Sequence, residues 1–85
     1  MNHEDIILIK PGVRLQGDGG ASTGAVILAN KQADTFTDVI LCYSETSPHD
    51  PFVVWTYHHE RGICARGDYY NNIKEAMNRY EEREW

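Results

Sequence analysis

The sequence predicts an α+β domain of two layers, a mostly antiparallel sheet of four to five strands covered by one C-terminal helix. Two observations point there. Five short runs rich in β-branched, leucine or aromatic residues occur before residue 67, whereas helical periodicity is confined to the last segment. Between the runs lie stretches of Gly, Pro, Asn and Asp, which reverse the chain or interrupt a ladder of backbone hydrogen bonds. A chain of 85 residues has one thin core, so residues 1–85 are expected to form a single small domain.

The elements follow in order. Ile6 to Ile9, closed by Lys10-Pro11-Gly12, reads as a short first strand. Residues 16–24 are glycine-rich, which wastes backbone entropy inside any regular element, and read as a loop. Ala25 to Ala29 is a second apolar run, read as a strand although its terminal alanines also permit a helical turn. Thr35 to Ser44 alternates Thr35, Thr37, Val39, Leu41 and Tyr43 with Phe36, Asp38, Ile40 and Cys42, a strand pattern. Two prolines between Glu45 and Pro51 then turn the chain.

Phe52 to His58 carries the clearest strand signal. Phe52, Val54 and Thr56 fall on one face and Val53, Trp55 and Tyr57 on the other, both largely apolar, as in a central strand with a helix on one side. His59 to Gly62 supplies a turn, and Ile63 to Arg66 returns as a short partner strand. Asn72 lies three residues before Glu75, a capping pattern that starts a helix. Ile73, Ala76, Met77 and Tyr80 form its apolar stripe, which is expected to pack on the sheet, so that aspartate at Ile73 or Met77 should unfold the domain.

Composition narrows the function. Eight Lys and Arg against 13 Asp and Glu give a formal charge of -5, the wrong sign for gripping nucleic acid through its phosphates. No apolar run approaches the length needed to span a bilayer and no secretion signal is evident, so a cytoplasmic protein with no membrane partner is expected. Cys42 and Cys64 lie outside any CxxC pair and are expected as buried, reduced thiols. Gly19 to Gly24 has the outer spacing of a phosphate loop, but Ala25 and Val26 occupy the positions of its lysine and hydroxyl residue. His58, His59, Cys64, Cys42 and His49 are zinc-ligand types, yet adjacent strand residues point to opposite faces, so no metal site and no cofactor are expected. No coherent catalytic group emerges, and the chain is expected not to be an enzyme. Arg66-Gly67-Asp68 matches an adhesion tripeptide but reads as turn chemistry.

The run Phe52-Val53-Val54-Trp55-Thr56-Tyr57, followed by Gly62, by Gly67-Asp68-Tyr69-Tyr70, and by Ala76 with Tyr80, resembles small uncharacterised accessory proteins of bacterial phages and conjugative elements. The resemblance covers the C-terminal part of the chain only. It implies an accessory role in a bacterial cell, by obstructing a host defence enzyme or modulating a nucleic-acid-processing complex, and brings no catalytic residues.

These observations lead to the expectation of a non-enzymatic, acidic protein-interaction module. Its partner is expected to be a bacterial protein with a basic, nucleic-acid-binding surface. The expected contact residues are Asp50, His58, His59, Glu60 and Arg61 near the hairpin, with Glu81, Glu82 and Glu84 on the helix. The alternative is a single-stranded nucleic-acid or nucleoprotein-binding module that stacks bases on Trp55, Tyr57 or Tyr69. An unpaired edge strand also offers a route to a homodimer.

Overall fold

A computed structural model of the protein describes residues 9–15 and 24–84. Four strands, β1 (Val26–Gln32), β2 (Thr37–Tyr43), β3 (Phe52–His58) and β4 (Ile63–Tyr70), form one sheet in the order β1-β2-β3-β4, and helix α1 (Ile73–Glu82) follows. All three strand pairs are antiparallel, so the sheet is a meander with the helix last, as predicted. The predicted strand at Ile6 to Ile9 lies outside the described residues except for Ile9, which is buried. The glycine-rich loop lies outside them too, except for Gly24, whose φ of 82° suits a residue without a β-carbon.

Two strands run further than their composition suggests. β1 continues through Asn30, Lys31 and Gln32, which pair with Ile40, Val39 and Asp38. Their polar side chains conceal a backbone that the neighbouring strand holds extended. β4 continues through Gly67 to Tyr70 because a bulge opposite Trp55 accommodates what reads as a turn: Val54 faces Asp68, Thr56 faces Ala65, and Arg66 takes a φ of 59° between them.

The two faces of the sheet are covered differently. On one, Val39, Leu41 and Val54 meet Ala76 of α1, with Ala29, Ala33, Phe52, Tyr70 and Tyr80 around them. On the other, Ile27, Ile40, Cys42, Val53, Trp55 and Tyr57 are covered by Ile9, Leu15 and Ala25, with Val13 and Cys64 alongside. The chain at 12–15 runs beside the start of β1, where Gly12 N–H donates to Ile27 O at 2.7 Å, Ile27 N–H to Val13 O at 2.9 Å and Leu15 N–H to Ala25 O at 2.8 Å. Trp55 and Tyr57 therefore lie away from the helix, packed with Ile9, Leu15 and Ala25 on the opposite face of the sheet.

The helix begins where the capping pattern places it. Asn72 is its N-cap, and its side-chain oxygen accepts from Lys74 N–H at 2.8 Å and Glu75 N–H at 3.3 Å. Its buried face differs from the expected stripe. Ala76 is fully buried and Tyr80 packs beside it, but Ile73 and Met77 are 40% and 41% exposed. The sheet-facing positions are Ala76, Arg79, Tyr80 and Arg83, again spaced i, i+3, i+4 and i+7, because β4 presents the Asp68 carboxylate to the two arginines.

Candidate functional site

The hairpin between β3 and β4 positions His58, His59, Glu60 and Arg61. Its turn is closed by Gly62, with a φ of 65°, whose N–H donates to His58 O at 2.8 Å. The two histidines diverge. His58 pairs with Thr37 and Ile63 on the helix side of the sheet. His59 turns to the other side, where its Nε2 lies 3.2 Å from Asp38 Oδ1, and its ring meets Tyr57 edge-on at 5.2 Å. Asn30 Nδ2 donates to the other Asp38 oxygen at 3.2 Å, and His59 N–H donates to Phe36 O at 2.8 Å. His59 thus fastens the hairpin to β2, while Glu60 and Arg61 are exposed. Asp34, in the neighbouring turn, has its carboxyl held below the usual range by hydrogen bonding to Thr37 and to the Phe36 N–H.

The far end of the helix carries the second group. Glu81 and Glu82 are exposed on its last turn, and Glu84, expected on the helix, is exposed just past its end because the backbone turns extended at Arg83, whereas Arg79 and Arg83 are turned inward. Arg83 is only 3% exposed, and its guanidinium donates to Val54 O at 2.8 Å, to Thr56 Oγ1 at 3.1 Å and to Asp68 Oδ2 at 3.4 Å. The bulge in the β3–β4 ladder lies beside these acceptors. Burial pushes the Arg83 pKa down and Asp68 opposes that shift, while the hydrogen bond from Arg79 Nε to Asp68 Oδ2, 2.8 Å, pushes Arg79 up. Lys31 on β1 donates to Glu81 O at 3.2 Å and holds its ammonium 5.0 Å from the Tyr80 ring centre, satisfying a carbonyl at the helix end. The Asp68–Arg79–Arg83 cluster escaped the sequence analysis. Two arginines four residues apart were a usable signal, but nothing local marked Asp68 as their acceptor.

Asp50 does not join these residues. It lies in the β2–β3 loop, at the opposite end of the meander from the β3–β4 hairpin. There it lines a shallow pocket of about 240 Å³ with Ser47, Pro48, His49 and Tyr69. The expected contact residues are therefore spread over the hairpin, the helix end and this loop.

Cys42 is buried as expected and burial pushes its thiol up, whereas Cys64, also expected to be buried, is half-buried on the edge strand β4. Trp55 and Tyr57 are 4% and 3% exposed, so of the three rings considered for base stacking only Tyr69, at 40%, reaches the surface. Among the described residues no group of three or more His, Cys, Asp or Glu side chains is placed to hold a metal ion. No helix among the described residues is long and apolar enough to cross a membrane. Comparison of the chain with protein-family models, with curated proteins and with solved structures finds no match to any of them.

Proposed function

We propose that this chain is a non-enzymatic interaction module that binds a basic surface on a bacterial protein through the outer side of α1, as an accessory protein of a phage or mobile element. One observation carries the proposal: Ile73 and Met77 stand exposed one turn apart on a helix whose packing is completed by other residues. Large apolar side chains that the core does not use are what a binding surface needs at its centre. Glu81 and Lys74 flank them, Glu75 and Glu82 are exposed further round the helix, and Glu84 is exposed just past its end, while Arg79 and Arg83 are turned toward Asp68. The excess of carboxylates on and next to the helix speeds encounter with a basic partner, with affinity supplied by the apolar pair.

The test is retention of proteins from a lysate of the encoding bacterium by the immobilised chain, compared with a Met77→Asp variant and a Glu81→Lys/Glu82→Lys variant. The expected outcome is a basic protein held by the native chain, lost with either variant and released by added salt. Circular dichroism establishes that both variants are folded. If every retained protein is held equally by the native chain and the folded variants, the proposal fails.

A further inference from the structure

The pocket at the β2–β3 loop belongs to neither the helix surface nor the hairpin. Tyr69 pairs with Val53 on the face of the sheet opposite α1, so the pocket points away from the outer side of the helix. Its walls are built firmly. Ser44 N–H donates to Pro51 O at 2.7 Å across the base of the loop, Asp50 N–H donates to Ser47 O at 3.1 Å, and the Ser44 and Thr46 hydroxyls lie 2.9 Å apart. Tyr69 is set by an edge-on contact with the buried Trp55 ring at 6.0 Å and 87°. The pocket's volume, about 240 Å³, is below the ~300–1,000 Å³ of sites that enclose a small-molecule ligand, and suits one side chain entering from outside.

Its chemistry is that of a cation receptor. Asp50 and the exposed Tyr69 line one pocket, with His49 beside them, and no cation among the described residues forms an ion pair with Asp50. A ring face attracts positive charge through its quadrupole, and a carboxylate accepts two parallel N–H donors from a planar fork. Arginine satisfies both at once, whereas the compact, strongly hydrated ammonium of lysine offers no plane to stack. Burial pushes the Tyr69 phenol up, so the ring stays neutral at physiological pH.

The geometry points to this pocket as a second recognition site, one that seats a single arginine side chain of a protein partner between the Tyr69 ring and the Asp50 carboxylate. It stands apart from the helix surface, and its test needs no partner.

The probe is N-acetyl-arginine methylamide, titrated into the isotopically labelled chain and followed by amide NMR, with the citrulline and lysine analogues as controls. Saturable shifts confined to Ser47, His49, Asp50, Tyr69 and their neighbours are expected for the arginine compound. Asp50→Asn and Tyr69→Leu, whose spectra show whether they are folded, should each weaken it at least about tenfold. Tyr69→Phe keeps the ring and should retain binding if Tyr69→Leu fails to fold. The assignment is overturned if the pocket amides do not respond up to the solubility of the compound, if the citrulline analogue shifts them as strongly, or if the lysine analogue binds as well as arginine.

Discussion

Gly67 has no room for a side chain. A β-carbon there would stand 2.6 Å from Trp55 Nε1 and 3.0 Å from its Cδ1, and Trp55 is a buried ring that cannot swing aside. Gly67→Ala is therefore expected to lower stability by about 1–3 kcal/mol, the usual cost of overpacking a filled core, read as a reduced urea midpoint with an unchanged slope. The sequence marked Gly67 as turn chemistry within Arg66-Gly67-Asp68, whereas these residues lie within β4 at a bulge, where Arg66 adopts a φ of 59°. What it could not show is the approach to Trp55, because the register that brings them together arises from the pairing of β3 with β4. His59 gives the same lesson. Its divergence from His58 was legible from strand alternation, but its partner Asp38 lies 21 residues away.

At the scale of the helix, the capping pattern marked its start at Asn72 but left its end and its rotation open. Two stripes overlap in this segment: Ile73, Ala76, Met77 and Tyr80, and Ala76, Arg79, Tyr80 and Arg83. Hydrophobicity favours the first, and the structure takes the second because Asp68, the Val54 carbonyl and the Thr56 hydroxyl give the arginines charge-assisted acceptors on the sheet. The expectation that aspartate at Ile73 or Met77 unfolds the domain is replaced by a contrast. Met77→Asp should cost less than about 1 kcal/mol, the scale of helix propensity at an exposed site. Ala76→Asp, which buries a carboxylate among Val39, Leu41 and Val54, should cost more than about 3 kcal/mol. Chemical denaturation followed by circular dichroism checks both, and equal losses at the two positions would contradict the observed rotation.

At the scale of the whole molecule, the described residues form a sheet with a helix on one face and chain 9–15 on the other, and Cys42 sits fully buried on the second face. Its thiol is both shielded and, through burial, pushed up in pKa, so it carries almost no reactive thiolate in the folded state. Alkylation mapped by mass spectrometry should modify half-buried Cys64 first, and Cys42 only as fast as the domain opens globally. Native-state modification of Cys42 at the rate of Cys64 would show that the N-terminal segment does not seal this face.

The sequence by itself determined the fold class, the order of the elements, the central place of β3 and the start of the helix at Asn72. These follow from local alternation, turn residues and capping, which act within a few residues of one another. The tertiary structure alone decided which helix stripe faces the sheet, that Trp55 and Tyr57 are buried away from the helix, that Asp68 receives two arginines, and that Asp50 lies beside Tyr69 and away from the hairpin. Each depends on strand register and on residues far apart in the chain, and a one-residue bulge in β4 is enough to change which side chains meet.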